Sequence, residues 1–355
     1  MIRESLLPEA AGMADIYSKI QIKDVTFPNR IVMAPMVRFG YTNVGGVMYE
    51  RLINDHLSRS GCGAGLVITE ALYVTTNTMI TPEYIWRAGA YSDEHIPYLR
   101  RLADSYHAGS SVLFAQLAHP GFSYGDPVAR DINCISVQEI ETIRDGFISA
   151  AVRCKLAGFD GVELHGAHTF FLNCFASATA NLREDRYGGE LSGRLTLIRE
   201  IIQGIREQAG EDFLISYRMG WTENRPCDIE TAKALEQLGL DLIHISTGIP
   251  EQREIHIPED FDYNEVVYTA SYIKDKLTIP VTAVNQIRTI RRGSILIEHG
   301  YADFAAFGKP FLADTGFAVR AINDPEYMPC LECPGCRWFT DGSSCPVQIK
   351  LGQAH

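Results

Sequence analysis

The sequence predicts an α/β fold, a (β/α)8 barrel of the TIM type with a short cysteine-rich C-terminal extension. Two observations and one absence carry that prediction. Short apolar runs, each closed by turn residues, alternate with stretches of helical periodicity, and eight such runs can be counted. Alternating β and α segments imply a parallel sheet, and eight repeats imply that it closes on itself. The chain has 355 residues and is 46% hydrophobic, enough to bury the core of one barrel with insertions. No GxGxxG follows the first strand, which weakens the open doubly wound alternative.

The strands are expected at 30–34, 65–69, 112–116, 161–164, 213–218, 242–246, 281–284 and 304–307. Helical periodicity fills 96–107, 137–156, 195–208, 229–238, 263–276 and 289–298, with Gly109, Gly158, Gly210 and Gly239 placed as C-terminal stops. Linkers between these units are too short for a domain boundary. After Pro325 the periodicity ends, so residues 1–325 are expected to form the barrel and residues 326–355 a separate extension.

Charge and hydropathy exclude several functions. A net charge of −12 and a pI near 5.3 argue against nucleic acid or an anionic membrane as the partner, because either favours a basic face. No run of about 18 apolar residues suggests a membrane span, and the first twenty residues lack the apolar core of a signal peptide. A cytoplasmic enzyme acting on a small molecule is expected.

Chemistry concentrates in the stretch GVELHGAHTFFLNCFASATANLREDRYGGELSGR from Gly161 to Arg194. There an apolar strand runs into His165 and His168, on the strand-to-helix turn where barrels keep their functional side chains. Two imidazoles so placed can donate hydrogen bonds to one substrate oxygen; a metal pair or two satisfied core histidines are the alternatives. Gln116 ends the third strand with an amide donor and acceptor suited to the edge of an isoalloxazine ring, and Arg218 ends the fifth with a cation that would stabilise a reduced ring. Phosphate binding is expected after the last two strands, in VTAVNQIRT, which contains Asn285, and in FAAFGKPFLAD. In the second, Gly308 permits close approach, Lys309 supplies charge, and a helix beginning near Pro310 would present its amides. Ser246, Thr247 and Gly248 add hydroxyls and an amide from the sixth loop. Arg225, Arg253 and His256 are loop charges that would ordinarily be solvated.

Of nine cysteines, Cys330, Cys333, Cys336 and Cys345 crowd into the tail as C-x2-C-x2-C-x8-C. This pattern is better read as a metal or iron–sulfur site than as disulfides, with zinc as the alternative occupant.

The motifs NRIVMAPM (29–36), QLAHPG (116–121), GVELHGAH (161–168), NLREDRYGG (181–189) and GKPFLAD (308–314), with Arg194 and Arg218, occur in this order over nearly the whole chain. By them the sequence resembles the old yellow enzyme (NADH:flavin oxidoreductase) family, and with its cysteine tail the branch containing 2,4-dienoyl-CoA reductase and trimethylamine dehydrogenase. The resemblance implies a barrel with FMN at its mouth, contacted by Ala34, Pro35, Met36, Gln116, Arg218, Asn285, Gly308 and Lys309. It implies catalytic His165 and His168 gripping the oxygen of a substrate that also meets Phe170, a 4Fe-4S cluster on the four tail cysteines, and NADH or NADPH as a reductant.

Three departures bear on the reaction. Val37 stands where relatives often carry threonine or cysteine, so the flavin should be non-covalent. Phe170 replaces the tyrosine that protonates the substrate carbon; water, Tyr41, Tyr73, Cys174 or His119 would have to replace it. The branch's larger members continue into nucleotide-binding domains beyond the position of His355, which points to an electron-carrier protein or companion subunit as partner. The resemblance leads to reduction of the C=C bond of an α,β-unsaturated carbonyl. Dehydrogenation or amine demethylation with electrons passed to a carrier is the alternative, as is a barrel subunit of an electron-transfer complex. Association of identical copies is left open.

Overall fold

A computed structural model of the chain describes residues 14–37, 41–43, 45–76, 87–119, 122–125, 129–249, 253, 255–339 and 342–353. The first thirteen residues and the last two of QLAHPG lie outside the described residues.

An antiparallel hairpin of β1 (Ile20–Ile22) and β2 (Val25–Phe27) precedes the barrel. The barrel comprises β3 (Ile31–Met33), β4 (Leu66–Tyr73), β5 (Val112–Ala118), β6 (Gly161–Gly166), β7 (Leu214–Gly220), β8 (Leu242–Ser246), β9 (Val281–Ala283) and β10 (Phe304–Phe307). Each pairs in parallel with its sequence neighbours, and β10 returns to β3 to close the sheet. The predicted barrel is therefore the observed one, and all eight predicted strands are found.

The pleat explains why one end is apolar and the other carries chemistry. Val32, Leu66, Ile68, Phe114, Leu214, Leu242 and Phe304 fill the interior, and Phe27 of the hairpin closes its floor, 5.3 Å from the Phe304 ring and 6.3 Å from Phe114. Farther along, the inward positions become polar: Gln116 on β5, Glu163 and His165 on β6, Arg218 on β7 and His244 on β8. The opposite face of each strand packs on the helices.

The structure departs from the sequence reading in three places. β4 runs on past Thr69, because a bulge between Ile68 and Ala71 interrupts its alternation and re-aims Ala71 and Tyr73. His165 lies within β6, so only His168 is on the turn. The hairpin and the helices Glu50–Leu57 and Phe171–Ala176 were not expected. Gly109 stops its helix as expected, but with φ −83° instead of the left-handed 100° of Gly158; a β-carbon there would lie 1.7 Å from the Ser60 carbonyl oxygen.

The tail is fastened to the loop after β10. Buried Asp314 accepts from Tyr327 Oη (2.8 Å), Arg320 Nε (2.7 Å) and Gln353 Nε2 (3.0 Å), and Gln348 Nε2 donates to Leu312 O at 2.6 Å. Trp338 is buried, with the Arg59 guanidinium 5.1 Å from its ring. No helix among the described residues is long and apolar enough to cross a membrane.

Candidate active site

The mouth is organised around a buried carboxylate that sequence reading passed over. Glu163, fully buried on β6, accepts from Gln116 Nε2 at 2.7 Å and from Nδ1–H of His244 at 2.8 Å. Burial alone would raise its pKa, but His244, Arg218 and Gln116 together hold it below the ordinary carboxylate range. Burial pushes His244 down, so that imidazole is neutral. Arg218 loses some basicity to burial but keeps its charge opposite Glu163. The signal was available: a glutamate inside GVEL and a histidine inside LIHIS are charges in apolar runs.

His165 pairs with Arg218 in register on the adjacent strand. Its ring lies 5.1 Å from those of both His168 and Phe170. His168 (φ 58°) and Thr169 (φ 67°) are consecutive non-glycine residues in the left-handed region, an arrangement that costs about 1–3 kcal/mol per residue. Several contacts hold it. His168 N donates to Thr247 O (2.9 Å), His168 Nε2 shares a hydrogen bond with Ser246 Oγ (2.7 Å), Thr169 N donates to Asn173 Oδ1 (3.0 Å), and Tyr124 N donates to Thr169 O (2.9 Å). NLREDRYGG braces the same region from outside: Asn181 Nδ2 donates to Phe175 O (2.8 Å) and Arg183 Nη1 to Ile132 O (2.6 Å). That motif is scaffold.

Both histidines of the pair are driven well below their ordinary pKa by burial, reinforced by Arg218. Each neutral imidazole here carries one N–H donor and one acceptor nitrogen. A stability consequence follows. The unfolded chain protonates these histidines near pH 6.5 while the folded chain refuses the protons, so their contribution is present above about pH 6.5 and is lost as pH falls. The thermal midpoint is expected to drop between pH 7 and pH 5, with a shallower slope in His168→Gln. A midpoint independent of pH over that interval contradicts this electrostatic account.

Among the described residues, His165 Nδ1, Arg218 Nε and His244 Nε2 are buried polar atoms at the mouth that lack partners. Each costs about 1–3 kcal/mol to leave unmet, as expected of a site completed by a polar ligand. Ala34 after β3 and Ala71 opposite Gln116 are small, and the residues present fit a flat flavin ring.

A cavity of about 320 Å³ lies between the loops after β9 and β10 and the tail, lined by Asn285, Arg288, Gly308, Lys309, Cys330 and Glu332 among others. It coincides with the expected phosphate site. The helix Lys309–Ala313 is only one turn, so the cation and loop amides rather than a long helix would carry that role. None of the described residues of the loop after β8 lines this cavity. Ser246 Oγ is engaged by His168 and by Arg218 Nη2 (3.3 Å), and Gly248 is packed so closely that a β-carbon would meet Trp221 O at 2.3 Å. Arg253 is likewise no solvated loop charge: its side chain is 1% exposed, paired with Asp228 and with Glu265 at 3.1 Å, and it lies 4.8 Å from the Trp221 ring.

Cys330, Cys333, Cys336 and Cys345 all line one small cavity with Lys309, Leu312 and Trp338, and none is in a disulfide. Among the described residues no three His, Cys, Asp or Glu side chains are grouped closely enough to hold a single metal ion.

A parallel barrel with this mouth defines a flavin-dependent oxidoreductase. The family model for the NADH:flavin oxidoreductase / NADH oxidase family matches residues 15–326, and the chain belongs to that family, whose cofactors are FMN and a nicotinamide reductant. It is 33% identical over 349 residues to an NADH oxidase of Thermoanaerobacter brockii, covering 91% of this chain and 53% of that protein. With an NADPH dehydrogenase of Listeria innocua it shares 29% over 330 residues, covering 88% of this chain and 95% of that protein. A solved old yellow enzyme homologue from Zymomonas mobilis shares the fold, with a TM-score of 0.73 at 22% identity, covering 92% of this chain and 97% of that one. The chain thus spans about half the length of the first of these relatives and nearly all of the second.

Proposed function

We propose that this chain reduces the C=C bond of α,β-unsaturated carbonyl substrates, with FMN at the barrel mouth and a 4Fe-4S cluster on its tail, and that it stands in the cluster-bearing branch of its family. The observation that carries this reading is the neutral pair His165 and His168, aimed at the mouth with His165 Nδ1 unmet. Two N–H donors converging on a carbonyl oxygen stabilise the negative charge that develops when hydride reaches the β-carbon. Bound FMN would supply the hydride exchange, and the cluster one-electron transfer.

The chain's own residues supply the rest. Ala34, Pro35, Met36, Gln116 and Arg218 seat the ring; Asn285, Gly308 and Lys309 hold the phosphate; Phe170 forms an apolar wall beside the substrate. The Glu163–His244–Gln116 network fixes the orientation of Gln116 from below. Four thiols around a cavity, rather than converging on a point, suit a cubane cluster better than zinc, whose thiolates sit about 2.3 Å from one ion. Cys330, Glu332 and Lys309 line both the cluster cavity and the phosphate cavity, so the two sites abut.

The assay is anaerobic turnover of NADH or NADPH with a panel of cyclic and acyclic enones, scored by saturated product. Absence of saturated product from every enone defeats the reading. Phe170 favours a second reading, dehydrogenation of an amine or saturated substrate with electrons passed to a carrier protein, because that direction needs no carbon-protonating acid. If the cluster serves such a carrier, Cys333→Ser will abolish carrier-linked turnover while FMN and fold persist; unchanged carrier-linked turnover rules that role out.

A further inference from the structure

The reduction proposed above needs a proton at the α-carbon, and Phe170 has none to give. Three of the four side chains that the sequence offers in its place sit in apolar packing or serve the turn. Tyr41 packs in the outer core, with the Arg51 guanidinium 4.6 Å from its ring. The Cys174 thiol donates to Thr169 O at 2.9 Å, and burial pushes its pKa up to about 12. His119 is wedged between the rings of Phe122 and Phe171, with centroids 5.3 and 5.0 Å away.

Tyr73 differs. The β4 bulge sets Ala71 opposite Gln116 and Tyr73 opposite Ala118, so Tyr73 stands on the face of the sheet from which Gln116 reaches Glu163. It belongs to neither apolar core, although it is buried and its neighbours Leu72 and Val74 pack in the outer one. The Arg87 guanidinium lies 5.5 Å from its ring centroid and 6.0 Å from that of Phe170, which in turn is 5.1 Å from His165. Tyr73, Arg87, Phe170 and His165 therefore follow one another along one wall of the mouth.

We propose that Tyr73 is the acid that protonates the α-carbon, in the role that Phe170 cannot fill; this rests on the ene-reductase reading above. The step balances simply. The alkene gains a hydride at its β-carbon from reduced FMN, itself reduced by NADH or NADPH. Its α-carbon gains the proton of the Tyr73 O–H, whose bonding pair stays on the phenolate oxygen. Solvent then reprotonates the phenolate. The bulge, by this account, is what brings the tyrosine to the mouth.

The test uses Tyr73→Phe holoenzyme, isosteric in the ring. Enone reduction should fall about 10²–10⁴-fold, the usual worth of a general acid, and adding Phe170→Tyr should restore at least tenfold. An α-substituted enone should give one α-epimer with the wild type and both with Tyr73→Phe. A further readout needs no turnover: with tyrosine labelled at Cζ, the resonance missing from Tyr73→Phe should shift when a saturated ketone binds the oxidised wild type. Wild-type rates and stereochemistry in Tyr73→Phe, or an unmoved resonance, overturn the assignment. A wild type that reduces no enone overturns instead the reading on which the assignment rests.

Discussion

Arg218→Met will destabilise the barrel by about 3 kcal/mol and strip it of flavin. The charge of Arg218 helps hold the fully buried Glu163 ionised, and leaving a buried charge without its compensating cation costs about 3–5 kcal/mol. The low end applies because Glu163 keeps its contacts to Gln116 and His244. Calorimetry and the bound FMN content check both losses. Because the penalty belongs to the stranded carboxylate, Arg218→Met/Glu163→Gln should regain more than half of the lost stability. Strictly additive losses in the double variant would show that the two residues are not coupled.

His165→Leu is expected to leave flavin content and the thermal midpoint nearly unchanged and to lower kcat/KM for enones by about 10²–10³, or about 2.7–4 kcal/mol, the worth of one preorganised donor to a developing oxyanion. His165 makes no hydrogen bond through its buried Nδ1 that the fold needs. His168, by contrast, also closes the left-handed turn through Ser246, so its replacement should cost stability as well. Steady-state kinetics beside melting curves separate the two. Equal stability losses in both variants would contradict the division of labour.

The barrel was legible because short apolar runs alternate with helical stretches over most of the chain, and each run buries the same two faces everywhere in a (β/α)8 fold. The reading failed where the chain breaks its own alternation. TEALY after Ile68 reads as the end of a strand, yet the sheet absorbs one extra residue and continues to Tyr73. Gln116 and Arg218 stood out as isolated polar residues late in apolar runs, and the structure places both inside their strands, at the mouth. Glu163 and His244 were missed because each lies inside an apolar run and matters only once β6 and β8 flank β7 and their inward side chains meet. Arg253 was misjudged for the opposite reason: local sequence places it on a loop, and only the packing of Asp228 and Trp221 beneath that loop makes it a buried brace. The short helix after Gly308 could not be sized from sequence, since its single turn ends at Asp314, whose partners come from the distant tail.

The central claim is that the His165–His168 mouth delivers hydride to an activated alkene. Its most direct test is anaerobic stopped-flow mixing of the photochemically reduced holoenzyme with 2-cyclohexenone and related enones. Return of the oxidised flavin spectrum, saturable in enone and with one equivalent of saturated ketone formed per flavin, is the predicted result. A reduced flavin that persists in the presence of every enone, together with bleaching of the oxidised enzyme by an amine or a saturated substrate, would contradict it.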